Sequence, residues 1–106
     1  MGASKYKVSI TLKAFDDLDE IYDYITNKLF NANAAEKLID EIETSIMRLR
    51  DFPLSFSLVN DDILKKKGYR KLIVANYIVF YLVDEIEKQV IIMRVLYGRQ
   101  QYEELI

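Results

Sequence analysis

Lys65-Lys66-Lys67-Gly68-Tyr69-Arg70-Lys71 concentrates five cations in seven residues, at the entry to an apolar run. Lysine and arginine in such density give sequence-independent affinity for phosphate, so the segment reads as a phosphate-facing edge. The same run equally serves to solubilise a strand end and to block edge-to-edge pairing. Arg94 is a different signal, because it interrupts Val90-Ile91-Ile92-Met93 and Val95-Leu96, an otherwise apolar stretch. A guanidinium carried into apolar surroundings needs a carboxylate or other acceptors. Arg94 therefore either lines a concave functional face or pairs with an acid on one of the helical segments.

Tyr97-Gly98-Arg99-Gln100-Gln101-Tyr102 follows directly, placing two phenols and two polar amides around a guanidinium. Tyrosine and arginine together stack on bases and hold phosphate. They are also the residue types that anchor protein partners, and Tyr102 alone can pack the chain end onto a sheet. Asp16, Asp19, Glu20 and Asp23 contain i,i+4 carboxylate pairs. They read as a solvated helix face rather than an acid–base pair, since no apolar enclosure surrounds them. Asp61-Asp62 is a weak metal candidate, and neither a glycine-rich phosphate loop nor a nucleophile elbow is present. The sequence contains no histidine and no cysteine. That excludes disulfide scaffolds, thiol nucleophiles, Cys/His zinc sites and Ser-His-Asp chemistry. No metal or other cofactor is expected.

The elements that must position these residues follow from the spacing. The 106 residues, 51% hydrophobic and 30% charged, are one domain spanning 1–106. Tyr6, Val8, Ile10 and Leu12 alternate with Lys5, Lys7, Ser9 and Thr11, the period of a half-buried strand. From Lys13 the period becomes helical: Phe15, Leu18, Ile21, Tyr22, Ile25 and Leu29 share one face, opposite Asp16, Asp17, Asp19, Glu20 and Asp23, with Thr11 as the cap. Asn33 and Glu36 have capping-box spacing for a second helix whose buried face is Ala35, Leu38, Ile39, Ile42, Ile46 and Leu49, ended by Pro53. Leu54–Leu64 reads as an ordered loop. Tyr69–Ala75, Tyr77–Val83 and Gln89–Leu96 are strands by their β-branched and aromatic content, with turns at Ala75-Asn76 and Asp84–Lys88. The order is β-α-α-β-β-β, an α+β domain with a helical hairpin packed on an antiparallel sheet.

Net charge is −2, from 15 basic and 17 acidic side chains, but it is unevenly spread. Residues 1–64 hold 7 basic and 12 acidic side chains, a balance of −5, and residues 65–106 hold 8 and 5, a balance of +3. Local field, not the net value, guides an anionic partner. The longest apolar stretch, Leu72 to Val83, is broken by Asn76 and falls short of the ~20 residues a membrane helix needs. The N-terminus lacks the apolar core of a signal peptide, so the cytoplasm is the expected location and no membrane partner is expected.

These residues carry a resemblance to the RelE/ParE toxin superfamily. It runs through Ile10-Thr11-Leu12-Lys13-Ala14 into Asp17–Ile25, then Ala35 to Leu38, Ile42-Glu43 and Leu49 to Pro53. It continues with Gly68-Tyr69-Arg70-Lys71-Leu72, Asn76–Tyr81, Val83-Asp84-Glu85 and Arg94-Val95-Leu96-Tyr97-Gly98-Arg99. The resemblance implies the toxin of a type II toxin–antitoxin module, neutralised by a cognate antitoxin encoded beside it. RelE-like members cleave mRNA on the ribosome, whereas ParE-like members inhibit DNA gyrase. RelE-like members place a catalytic arginine where Ile78 stands here, and many relatives place histidine where Tyr97 stands. The Leu-Tyr-Gly-Arg ending is closer to the ParE branch. The resemblance thus implies gyrase inhibition, with Arg94, Tyr97, Arg99, Tyr102 and the lysines 65–67 in the binding surface. The alternative is a metal-independent, ribosome-dependent endoribonuclease using Arg70, Lys71, Arg94, Arg99 and Tyr102.

Overall fold

The computed structural model describes residues 5–98. Its elements are β1 (Lys7–Ile10), α1 (Leu12–Asp23), α2 (Ala32–Met47), the short α3 (Asp62–Lys66), β2 (Arg70–Val74), β3 (Tyr77–Asp84) and β4 (Gln89–Tyr97). The strands form one sheet in the order β1-β4-β3-β2. The expected helical hairpin on a sheet is present, and β2, β3 and β4 form an antiparallel meander. Short turns leave successive strands no other choice. β1 is not bound by that rule, because both helices intervene before the meander. It joins the free side of β4 in parallel, Lys7 against Gln89 through Ile10 against Ile92, so the four-stranded sheet is mixed.

The strand read over Lys5–Leu12 stops at Ile10 because Thr11 is committed to the helix. Its hydroxyl accepts from the Ala14 N–H at 3.1 Å and donates to the Met93 carbonyl at 3.0 Å. α1 is extended by a π-helical turn over Tyr24–Lys28, and Phe30 then takes a positive φ of 52°. α2 starts earlier than the Asn33/Glu36 spacing implied. Asn31 is the cap, its side chain accepting from the Ala34 N–H at 3.0 Å, so the chain needs no longer link to reverse. Residues 54–64 are not all loop. Asp61 accepts from the Leu64 N–H at 3.0 Å and caps α3, so Lys65 and Lys66 end a helix rather than enter a strand.

The main core lies between the helices and one sheet face. Ala14, Leu18, Ile21, Ile25, Ala35, Ile42, Ile46 and Leu49 meet Leu72, Val74, Val79, Tyr81, Val90, Ile92 and Val95. Phe15 and Leu29, expected on the buried face of α1, are instead exposed by 54% and 56%. Ala14, the neighbour of Phe15 in α1, is fully buried in the core. The opposite sheet face carries a smaller cluster of Val59, Leu64, Tyr69, Phe80 and Leu96, closed by α3 and the segment before it. That segment is tied down by the buried Tyr81 hydroxyl, which donates to the Pro53 carbonyl at 3.0 Å. It also pairs with the edge of β2, Val59 N–H to the Tyr69 carbonyl and Lys71 N–H to the Ser57 carbonyl.

One irregularity in the sheet decides where Arg94 points. Tyr81 pairs with Ile92 and Phe80 with Arg94, so Met93 is an extra residue in β4. Strict alternation from Val90 and Ile92 would have put Arg94 on the core face. The bulge passes that place to Val95, which is 1% exposed, and releases the arginine toward α1.

Candidate functional site

β1 ends against Ile92, so the last part of β4 has no strand on that side, and α1 takes over as its neighbour. The Arg94 Nε donates to Asp17 Oδ2 at 2.7 Å and Nη2 donates to Oδ1 at 2.9 Å, a two-point guanidinium–carboxylate pair. The Val95 N–H also donates to Asp17 Oδ2 at 2.9 Å. One carboxylate thus satisfies both the arginine and a backbone group that a fifth strand would otherwise meet. The pairing raises the Arg94 pKa: the Asp17 hydrogen bond is the largest cause, opposed by burial and reinforced by the charges of Asp17 and Glu20.

Asp17 is 7% exposed and is the one buried charged residue among those described. Its place in the solvated face with Asp16, Asp19, Glu20 and Asp23 is therefore corrected. The signal was in the spacing. Ala14, Asp17 and Ile21 fall on one helical stripe, so the carboxylate had to enter the interior with a partner.

A cleft of about 770 Å³ opens beside this pair, lined by Asp17, Glu20, Tyr24, Tyr77, Arg94 and Tyr97 among others. The Tyr77 and Tyr97 rings meet edge to face, 5.7 Å between centroids at 65°. They face each other because Tyr77 and Tyr97 are register partners on β3 and β4. The Tyr77 pKa is raised, first by burial and then by Tyr97 and Tyr24, so its phenol stays protonated at neutral pH. The π-helical turn carries Tyr24 and Leu29 to the same cleft. Gly98 donates its N–H to the Asn76 carbonyl at 2.8 Å, which makes that pair the hydrogen-bonded one. By the alternation of an antiparallel ladder, Tyr97 then directs its backbone groups away from β3, to the side vacated by β1.

Of the residues singled out from sequence, Arg94 and Tyr97 share this cleft. The other cations singled out among the described residues do not. Arg70 and Lys71 lie on β2, the edge strand on the other side of β3, and Lys65 to Lys67 form the exposed end of α3. The Arg70 Nη1 donates to the Phe56 carbonyl at 2.6 Å, pinning the segment before α3. Arg99 and Tyr102 lie outside the described residues. Tyr24, Tyr77 and Glu20 belong to the cleft but were not visible as a group in the sequence, being spread over α1, its extension and β3. Among the described residues no three His, Cys, Asp or Glu side chains group to hold a metal, and no helix is long and apolar enough to cross a membrane. The cleft offers aromatic faces, phenol hydroxyls and one exposed carboxylate, with its guanidinium already answered by Asp17. That is equipment for holding a chain segment.

Residues 8–102 match the model of the ParE toxin of type II toxin–antitoxin systems, parDE. No curated protein sequence matches significantly. Among solved structures, a chain of the chromosomal ParDE toxin–antitoxin system from P. aeruginosa superposes with a TM-score of 0.73 at 22% identity, covering 90% of this chain and 98% of the other. A chain of the RelBE2 toxin–antitoxin complex from Mycobacterium tuberculosis gives a TM-score of 0.60 at 20% identity, covering 88% and 98%.

Proposed function

The chain belongs to the ParE toxin family of type II toxin–antitoxin systems, and on that premise we propose that it arrests growth by binding DNA gyrase and is neutralised by an antitoxin encoded beside it. The observation that carries the proposal is the state of Arg94. Cutting RNA needs a base for the 2′-hydroxyl, an acid for the leaving oxygen and a cation for the developing phosphorane charge. The Arg94 guanidinium is held at both ends by Asp17, and Tyr77 beside it is pushed toward the protonated form. Neither supplies a proton acceptor near neutrality, and among the described lining residues there is no lysine, which leaves the exposed Glu20 carboxylate as the candidate base, away from any free cation of the lining. A site equipped in this way favours an inhibitor that works by contact.

The contact surface in this reading comprises Arg94, Tyr97, Arg99 and Tyr102, with Lys65, Lys66 and Lys67 supplying longer-range attraction to an anionic target. The cytoplasm is where both gyrase and antitoxin would be met. The test is induction of the chain without its antitoxin, with gyrase cleavage complexes and transcript ends on ribosomes mapped in the same cells. Trapped gyrase with intact transcripts is expected. New transcript ends without trapped gyrase would establish instead a ribosome-dependent mRNA endonuclease, acting through Arg70, Lys71, Arg94, Arg99 or Tyr102. Normal growth would mark a relative that keeps the fold and has lost toxicity.

A further inference from the structure

We infer that the Tyr24–Tyr77–Tyr97 cleft is built to receive an arginine side chain presented by the antitoxin, with its guanidinium against the rings and on the Glu20 carboxylate. The inference rests on the antitoxin reading for the identity of the occupant, but its chemistry comes from the cleft. The bidentate pair makes Asp17 and Arg94 cancel, so among the described lining residues the formal charge left is that of Glu20. The Glu20 carboxylate and the hydroxyls of Tyr24, Tyr77 and Tyr97 make no hydrogen bond or ion pair among the described residues. Three phenol oxygens and a carboxylate therefore stand on the walls of an aromatic cavity with no partner among the described residues.

An anion would be repelled by Glu20. A purely aliphatic side chain would strip water from those oxygens and return nothing. An arginine meets both demands, since its flat face stacks on tyrosine and its five N–H donors reach in-plane acceptors. A lysine ammonium brings three donors and no flat face, and so answers less of the site. A protein segment is the natural carrier. The outward-pointing backbone groups of Tyr97 lie next to the cleft on the open side of β4, where an extended segment can pair and send an alternate side chain inward. The basic half of this chain, with its balance of +3, points to an acidic partner overall. The cleft sits apart from that half's lysine run, and an arginine there would fix register within an otherwise acidic segment.

The direct test uses the full chain and two acetylated, amidated tripeptides, Leu-Arg-Leu and its citrulline counterpart, which keeps arginine's shape and loses its charge. Titration followed by NMR should shift the ring signals of Tyr24, Tyr77 and Tyr97 saturably. The arginine peptide should bind about tenfold more tightly than the citrulline one. Glu20→Gln, a substitution at an exposed position, should erase most of that ratio while leaving the fold unchanged. Equal affinities, or shifts confined to other residues, would overturn the inference. In the second arm the protein encoded beside this chain is titrated with each of its arginines changed to glutamine. One of them should couple to Glu20→Gln in a double-mutant cycle, and the absence of any coupling would remove the antitoxin as occupant. A chain that takes the arginine peptide at the three rings yet binds no neighbouring gene product would sink the antitoxin reading and leave the cleft's preference for a guanidinium intact.

Discussion

Arg94 and Arg70 stand on strands either side of β3, opposite Phe80 and Tyr81, and their guanidiniums are treated in opposite ways. Arg94 is answered by a carboxylate 77 positions away in sequence, through two hydrogen bonds, with its side chain 14% exposed. Arg70 is answered by the carbonyl of Phe56, 14 positions away, in an exposed contact. The first arrangement removes two charges from water and recovers that cost only through good geometry. The second leaves the charge hydrated and asks little of the fold. Charge density along the chain therefore misidentifies the consequential cation. Five clustered cations at residues 65–71 sit at the solvated edge, whereas one isolated arginine fixes how α1 meets the sheet.

The sharpest way to break this contrast is Asp17→Ala. It takes from the Arg94 guanidinium and the Val95 N–H the carboxylate to which both donate, in a largely buried place. Removing one partner of a buried pair costs about 3 kcal/mol or somewhat more, a large share of the stability of a domain this size. Urea denaturation should show the midpoint falling accordingly, with Arg70→Ala losing about 1 kcal/mol or less. Equal losses at the two arginine sites would erase the distinction. A double variant, Asp17→Leu with Arg94→Met, should recover much of the loss, because two apolar groups demand no partners.

The same contrast explains what was legible beforehand. Helix and strand periods in residues 13–49 and 69–96 brought out the hairpin and the meander, since each period reports a local choice between two faces. The parallel placement of β1 was not local. It depends on where the end of an intervening hairpin returns the chain, and no residue of Lys7–Ile10 encodes it. The bulge at Met93 was equally hidden, because it appears only when β3 and β4 are laid in register. Arg94 itself was legible as an anomaly, and one of its two readings, pairing with an acid of the first helix, is what the structure contains. Asp17 could have been found from its place on the Ala14–Ile21 stripe. The three tyrosines of the cleft could not, as they come from separate elements and no spacing connects them. Asn31 in place of Asn33 as the cap shows a smaller gap: with the positive φ at Phe30 the helix starts two residues earlier.

A second measurement sharpens the cleft side. The Tyr77 pKa is raised above its ordinary value of 10.0, chiefly by burial. A pKa raised on folding means that the folded state favours the neutral phenol. The stability tied to that preference is whole below pH 10 and is lost as pH rises through the folded-state value. Stability followed from about pH 9 to pH 11 should therefore fall more steeply for the wild type than for Tyr77→Phe. Tyr69 and Tyr81 shift in the same direction, so the variant should retain part of the alkaline loss. Identical slopes would mean that the phenol is as well hydrated as any surface tyrosine.

The smallest stability effect is expected at the most conspicuous charges. Lys65, Lys66 and Lys67 are all exposed, and none forms an ion pair among the described residues. Reversing them to glutamate leaves Leu64, the buried residue of α3, and the Asp61 cap in place. Two of the new carboxylates would lie at the C-terminal end of α3, an unfavourable place for negative charge, but exposure and salt reduce that penalty to a few tenths of a kcal/mol. The midpoint of denaturation should move by the equivalent of about 0.5 kcal/mol or less. If the lysines steer the chain toward an anionic target, the triple variant should associate more slowly at low salt, and the gap from wild type should close as salt is raised. A large stability loss would instead show that the run braces α3 against β2, and the contrast between a structural arginine and solvated lysines would have to be redrawn around that short helix.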